Sequence, residues 1–385
     1  ETDSKMYDKF INTTIIERRL IMENKFGFGC MRLPMKNDEV DYDEFNQMID
    51  LYMQEGFNYF DTAHGYLGGK SETALRDCLV SRYPRESYVL TNKLTKSFFN
   101  SKEDILPLFN EQLQKTGVSY FDYYLMHAQD RENYKHFQKC QAYQAAQELK
   151  ATGKVKHIGI SFHDTANILE MILSEHPEIE IVQIQFNYAD FNNPSVESKK
   201  VYEVCRKFNK PILVMEPIKG GGLANLPEAA NRILTDLNKN ASNASYALRF
   251  AASFEGVYKV LSGVSNLEQM KDNLKVMKNF IPFNDEEYEA VAKVRKILDS
   301  LGGIPCTACR YCTDGCPMKI SIPDLFGCYN DKKIFNDWNS DYYYGVHTKT
   351  NGKASTCIGC QQCEHICPQH LPIIKYLKEV AETFE

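Results

Sequence analysis

Phe57-Asn58-Tyr59-Phe60-Asp61-Thr62, Tyr88-Val89-Leu90-Thr91-Asn92-Lys93 and Tyr120-Phe121-Asp122-Tyr123-Tyr124-Leu125-Met126-His127 are three β-prone runs, each ending on a polar or ionisable side chain. Short runs rich in aromatic and aliphatic residues, bounded by polar segments, read as strands. Phe26–Met31 precedes them, and Val155–Ser161, Ile181–Asn187, Pro211–Glu216 and Tyr258–Gly263 follow. Helical periodicity fills the intervals at Asp41–Glu55, Ser71–Ser81, Lys102–Lys115, Tyr134–Ala151, Asp164–Ser174, Ser195–Phe208 and Ala241–Ala252, and Asn266–Lys278 closes the series. Eight strands, each followed by a helix within about 250 residues, predict an α/β protein of the (β/α)8 TIM-barrel type. The rival is an open doubly wound sheet. That fold normally carries a glycine-rich first βα turn, and Gly27-Phe28-Gly29-Cys30-Met31-Arg32 lacks the third glycine.

The whole chain has 385 residues, enough for two or three domains, with 43% hydrophobic and 25% charged residues. Lys plus Arg total 45 against 51 for Asp plus Glu, so the net charge is −6. This argues against nucleic-acid partners and against a polybasic membrane binder. No apolar run reaches the roughly 18 residues that a membrane span needs. Of 13 cysteines, Cys30, Cys78, Cys140 and Cys205 are scattered, and the other nine crowd into the end of the chain. Scattered thiols suit a reducing compartment. Residues 1–22 lack the apolar core of a secretory signal. The expectation is a cytoplasmic protein with an N-terminal extension over 1–23 and a barrel over 24–301. A helix at Asp285–Leu301 and then Gly302-Gly303-Ile304-Pro305 mark the boundary to a smaller domain over 302–385.

In that tail Cys306-Thr307-Ala308-Cys309-Arg310-Tyr311-Cys312-Thr313-Asp314-Gly315-Cys316-Pro317 has the spacing C-x2-C-x2-C-x3-C-P, and Cys357 to Pro368 repeats it through Cys360, Cys363 and Cys367. Two such patterns exclude chance. Zinc sites use cysteine pairs rather than triplets plus one, and disulfides conflict with the compartment. In this spacing the three thiolates of one loop serve one cluster, and the fourth cysteine ligates the other. The assignment is Cys306, Cys309, Cys312 and Cys367 for one [4Fe–4S] cluster, and Cys357, Cys360, Cys363 and Cys316 for a second. The motifs resemble bacterial dicluster ferredoxins over about residues 303–372. Forty residues separate Cys316 from Cys357, and Pro323–Lys333 and Pro372–Thr383 read as helices. The segment therefore looks more like the mainly α-helical ferredoxin module of multisubunit dehydrogenases. Cys328 reads as a core residue. The aromatic run Trp338–Tyr344 either faces the barrel or is covered within the tail itself.

Asp61, Tyr66, Lys93 and His127 all follow or end predicted strands, where a (β/α)8 enzyme carries its catalytic groups. A phenol with a pKa near 10 is a poor acid at neutral pH. A nearby ammonium favours its phenolate, and a carboxylate keeps that ammonium charged and in place. A histidine within reach can hydrogen-bond a carbonyl oxygen. Such a set suits proton delivery to a developing alkoxide.

With these residues the chain resembles the aldo-keto reductases over about residues 24–300. The family's Asp, Tyr, Lys and His tetrad falls on Asp61, Tyr66, Lys93 and His127, and Gly68-Gly69-Lys70-Ser71-Glu72 is similar to the continuation of its Asp/Tyr motif. The resemblance implies a nicotinamide dinucleotide, NADPH or NADH, bound without a Rossmann unit. It carries carboxamide contacts to Ser161 and Gln185 and the phosphate loop to Ser262, Gly263, Val264, Gln269 and Asn273. Phe162 replaces the usual Asn, Met215 an aromatic ring that stacks on the nicotinamide, and Gln269 an Arg that pairs with a 2′-phosphate. Lys219, in Pro217-Ile218-Lys219-Gly220-Gly221-Gly222, could meet a pyrophosphate or belong to a plain loop. His64, beside Tyr66, is a weaker catalytic candidate or a lining residue of the pocket, and His157 and His163 read as structural.

The sequence thus predicts an NAD(P)H-dependent oxidoreductase acting on a small carbonyl or alcohol and fused to a dicluster domain. Hydride transfer moves two electrons and a cluster carries one. Either a flavin adapter is bound, or the clusters are structural or regulatory. The alternatives are an electron-transfer protein that docks a redox partner, and a redox sensor whose barrel binds a nucleotide without carbonyl chemistry.

Overall fold

The computed structural model describes residues 24–192, 196–301, 303–304, 306, 310–336, 339–367 and 369–385. The expected extension 1–23, Ser195, the boundary residues Gly302 and Pro305, Cys309, Trp338 and Pro368 lie outside the described residues.

Ten strands run in chain order as β1 (Phe26–Gly29), β2 (Met35–Lys36), β3 (Glu39–Val40), β4 (Tyr59–Asp61), β5 (Val89–Leu94), β6 (Phe121–Gln129), β7 (Val155–Phe162), β8 (Ile181–Gln185), β9 (Ile212–Met215) and β10 (Val257–Ser262). Eight of them, all parallel, close into a barrel in the order β1-β10-β9-β8-β7-β6-β5-β4. This is the predicted (β/α)8 architecture, and every predicted barrel strand is present within a few residues of its expected ends. β2 and β3 form an unpredicted hairpin whose turn, Asn37-Asp38, has positive φ at both residues, the geometry that a two-residue hairpin requires.

Inside the barrel Tyr59, Leu125, Ile181, Leu213 and Leu261 form one buried layer drawn from five strands. Gly159 of β7 belongs there because a Cβ would sit 2.5 Å from Ile181 Cγ2 and 2.6 Å from Leu125 Cδ2. Outside, the helix Tyr42–Gln54 is capped by Asp41 and buries Phe45, Met48, Ile49 and Tyr52. Phe45 and Tyr52 meet the rings of Phe26, Phe28 and Phe60 edge-on or tilted, at 5.3–5.8 Å between centroids.

Two predicted helices differ. The span 134–151 is two helices, Arg131–Lys139 and Ala142–Ala151, parted at Gln141 with φ 51°. The span 71–81 starts as an α-helix over Lys70–Leu75 and widens to a π-turn over Arg76–Val80. The helix Glu228–Leu237, with Pro227 at its N-cap, was not anticipated.

By contact density the chain forms two compact units. The first comprises residues up to Asn187, Ser198–Pro217 and Ser245–Phe283. The second comprises Tyr188–Glu197, Ile218–Ala244 and Asn284–Glu385.

Within the second unit the cysteine-rich tail is helical, with Tyr311–Asp314, Ile322–Phe335, Asn339–Thr348, Gln362–Ile366 and Ile373–Phe384. The duplication seen in the sequence extends to the backbone. Arg310 and Gln361, at equivalent places, both take φ near +60° and open short helices. Lys319 and His370 are also left-handed, and their amides close on the carbonyls of Cys316 and Cys367 at 3.0 Å. Ile320, Ile322, Leu325, Phe326, Leu371, Ile373 and Leu377 fill the shared core. Tyr344 belongs to that core too, stacked on Phe384 at 4.6 Å between centroids, so this member of the aromatic run is covered by the tail itself. Cys328 is buried, as expected.

Candidate active site and cluster cavities

Asp61 is the last residue of β4, and Lys93 lies near the end of its neighbour β5. Both are almost fully buried, and Lys93 Nζ donates to Asp61 Oδ1 at 2.6 Å and to the carbonyl of Thr62 at 2.8 Å. Burial, the largest single effect, would depress the lysine, but Asp61 and Tyr66 together outweigh it, and the Lys93 pKa lies above its usual value. The lysine is therefore an ammonium throughout the neutral range. Its Nζ stands 4.8 Å from the Tyr66 ring centroid.

Tyr66 opens a tight 3-10 turn, Tyr66–Gly69, in which Leu67, Gly68 and Gly69 are left-handed. Burial pushes its phenol up and Lys93 pulls it down, with a net rise. The sequence predicts only the lowering by the ammonium, and in the folded pocket desolvation is the larger effect.

His127 lies in β6 just before a bulge, where Ala128 takes φ 52° and the pairing with β7 shifts register. Ser161 of β7 holds that bulge, its hydroxyl accepting from the Ala128 amide at 2.8 Å. The His127 ring centroid is 6.0 Å from that of Tyr66. Burial, then the Lys93 charge, lowers the imidazole well below 6.5, so it is neutral at pH 7. Thr95 Oγ1 lies 2.7 Å from His127 Nδ1. The four tetrad residues thus converge at the carboxyl ends of three adjacent strands.

The residues expected to hold a dinucleotide occupy the same ends of the next four strands. Ser161 is in β7, and Gln185, Met215 and Ser262 terminate β8, β9 and β10. Gln185 and Met215 are register partners. Ser262 and Asn273 are buried and hydrogen-bonded to each other at 2.8 Å, and Val264 is buried beside Gly263. Gln269 Oε1 accepts from the Ser265 amide, and Asn266 caps the helix Leu267–Met277. The donors and acceptors of Ser161 and Gln185, the soft face of Met215 and a loop leading into a helix N-terminus fit a carboxamide, a ring and a phosphate respectively. Lys219, in the second unit, faces Asp190 at 3.0 Å and Asp331 at 3.3 Å, so its ammonium already has two carboxylates and a pyrophosphate would have to compete with them.

Three neighbours of the site were missed. Arg32 follows β1, packs beside Gly263 and brings its guanidinium to 3.8 Å from Glu216. It stands in the Gly27–Arg32 stretch, which was read for its glycines only. Gln183, two residues before Gln185 on the same face of β8, is buried. Strand alternation marks it. Thr95 carries no sequence signal. His64, the weaker candidate beside Tyr66, is buried and meets Glu72 at 2.8 Å.

In the tail Cys306, Cys312 and Cys367 line one cavity together with Arg310, Ile322, Pro323, Phe326 and Leu371. Cys316, Cys357, Cys360 and Cys363 line another with Met318, Ile320, Ile358 and Leu377. Among the described residues no three metal-binding side chains converge on a point that a single ion would fill. Cysteine triplets joined by one cysteine of the other motif fit a multi-iron cluster better than a lone zinc. In each cavity the described cysteines are grouped with the fourth cysteine of the other motif.

The parallel eight-stranded barrel thus carries an Asp–Lys pair, a tyrosine and a neutral histidine at its strand ends. Residues 25–296 match the Aldo/keto reductase family, and the chain belongs to that family; residues 305–372 match the 4Fe-4S dicluster domain. Among curated proteins the chain is 23% identical to the aldehyde reductase YPR1 of Saccharomyces cerevisiae, over 70% of this chain and 87% of that protein. It is 24% identical to the uncharacterized oxidoreductase YqkF of Bacillus subtilis, over 70% and 91%. Of solved structures, the aldo-keto reductase AKR11C1 from Bacillus halodurans superposes with a TM-score of 0.58 at 22% identity, covering 70% of this chain and 91% of its own. An aldo-keto reductase from Klebsiella pneumoniae in complex with NADPH gives 0.57 at 18% identity, covering 70% and 90%. These likenesses are of fold.

Proposed function

We propose that this protein reduces a small carbonyl compound, or oxidises the corresponding alcohol, with NADPH or NADH. The observation that carries this reading is the buried Lys93–Asp61 pair at 2.6 Å, set against Tyr66 with neutral His127 beside it. The bound nicotinamide supplies the hydride. Tyr66 gives its hydroxyl proton to the carbonyl oxygen as charge develops there. Lys93 stabilises the phenolate left behind, and Asp61 keeps Lys93 charged and aimed. If Thr95 donates to His127 Nδ1, the imidazole carries its proton on Nε2 and offers it to the same oxygen. Ser161, Gln185 and Met215 would hold the ring end of the cofactor, and the Ser262–Asn273 segment its phosphate end. NADPH in the Klebsiella pneumoniae relative supports the choice of a nicotinamide.

The functional division we propose places the reductase in 24–301 and the cluster domain in 302–385. Cys306, Cys309, Cys312 and Cys367 would hold one [4Fe–4S] cluster, and Cys316, Cys357, Cys360 and Cys363 a second; each supplies a one-electron centre. Anaerobically purified protein should oxidise NADPH with an aldehyde, and Tyr66→Phe should lower turnover by ~10²–10⁴-fold while the cofactor still binds. Near-normal turnover in that variant defeats the reading.

A further inference from the structure

Behind the proton-donor pair lies a second set of buried polar groups that the proposed chemistry does not use. Glu72, in the helix Lys70–Leu75, is completely buried. Its Oε2 meets His64 Nδ1 at 2.8 Å, and its Oε1 accepts from Asn92 Nδ2 at 2.8 Å. His64 is two residues before Tyr66 and is pinned edge-on by Phe98 at 4.6 Å between centroids. Asn92 precedes Lys93, and its Oδ1 accepts from the Lys93 amide at 2.8 Å. Gln112 closes the other side, its Nε2 donating to the Lys93 carbonyl at 2.9 Å, and Tyr124 holds Gln112 through a 2.6 Å bond. Both backbone polar groups of Lys93 are thus engaged by side chains rather than left to strand pairing alone.

A buried carboxylate is costly unless fully hydrogen-bonded, and a network of this kind rigidifies what it touches. We propose that Glu72 is a positioning residue for carbonyl reduction: one carboxylate ties the Tyr66 turn, through His64, to the Lys93 backbone, through Asn92. The proposal rests on Tyr66 being the acid. It explains why the turn can hold three consecutive left-handed residues, Leu67, Gly68 and Gly69, without losing its aim at Lys93. Glu111, 3.9 Å from His64 Nε2 and half exposed, is the network's outlet to solvent.

The charges acting on Tyr66 are Lys93, Asp61 and, more weakly, Glu216, and the neutral His127 ring stands 6.0 Å away. The sign of the effect of Glu72 then discriminates. Loss of a nearby negative charge would lower the phenol pKa, whereas a loosened Lys93 raises it.

The test is a titration of the full chain labelled with [13Cζ]tyrosine and purified anaerobically, with Tyr66→Phe identifying the resonance. Glu72→Gln should raise the Tyr66 pKa by about one unit and lower kcat by ~10–100-fold, with KM within about threefold. Asn92→Ala cuts only the Lys93 arm and should give the same upward shift, which keeps the test open if Glu72→Gln does not fold. A Tyr66 pKa that stays put, with activity tracking the folded fraction, would leave Glu72 a merely structural group; a downward shift would make it a simple charge. Either overturns the proposal. Equal turnover of wild type and Tyr66→Phe would instead defeat the functional reading, and the titration would still decide the role of Glu72.

Discussion

Replacing Lys93 by Met removes a cation from a site where nothing else can take its place. Asp61 is 3% exposed, and its Oδ1 is bonded to Lys93. The variant would leave a buried carboxylate without a counter-charge, and breaking a buried pair in this way costs about 3–5 kcal/mol. Met fits the lysine stem, so the loss is electrostatic rather than a cavity. The same change deprives Tyr66 of its ammonium, and turnover should fall by ~10²–10⁴-fold. The informative partner is Lys93→Met combined with Asp61→Leu. Replacing both charges by apolar groups is often close to neutral, so the double variant should recover most of the stability and none of the activity. Urea unfolding under anaerobic conditions, followed by far-UV circular dichroism, measures the first, and NADPH oxidation with an aldehyde the second. A single variant as stable as wild type, or a double variant no more stable than the single, would refute the electrostatic account.

Other consequences are equally measurable. His127 has a folded pKa well below its usual 6.5, so the unfolded chain takes up this proton first and its neutral form contributes stability above about pH 6.5 that is lost as pH falls through the folded value. The pH–rate profile should accordingly show no limb near 6.5, and His127→Gln should flatten the acid slope of stability. Cys316→Ser and Cys363→Ser should each cost the same half of the bound iron, and Cys312→Ser and Cys367→Ser the other half; spectra that pair Cys316 with Cys312 instead would contradict the grouping of the two cavities. Gly159→Ala places a methyl 2.5 Å from Ile181 Cγ2 and 2.7 Å from its carbonyl oxygen, and should destabilise the barrel by about 1–3 kcal/mol in the same urea assay.

The barrel was legible in the sequence because parallel strands buried on both faces write continuous apolar runs, and because the polar residue ending each run is out of character for a core. The tetrad and the cysteine grouping followed from that and from spacing. Other features depend on three dimensions. The net direction of the Tyr66 shift is a competition between burial and charge, and only the fold gives the depth of burial. Lys219 sits in a glycine-rich loop, which suggests phosphate, yet it meets Asp190 and Asp331, which are distant in sequence. The break at Gln141 is a non-glycine left-handed residue inside a helical pattern, which periodicity cannot detect. Tyr344 stands in an exposed-looking run of polar and aromatic residues, and its burial depends on Phe384 arriving from the end of the chain.

The pairing of Lys219 with Asp331 has a consequence for how the chain is made. Synthesis proceeds from the N-terminus, and domains that are continuous in sequence can fold as they emerge. Here the segments Tyr188–Glu197 and Ile218–Ala244 belong with Asn284–Glu385, not with the strands that flank them. When the ribosome has finished β10, these two loops still await partners that have not been translated. The loop glycine Gly222, for example, has yet to meet the ring of Phe335. A chain stopped after Leu301 would already carry the helix Asp285–Ser300 that packs on Glu228–Leu237, but Lys219 would lack Asp331 and Gly222 the ring of Phe335.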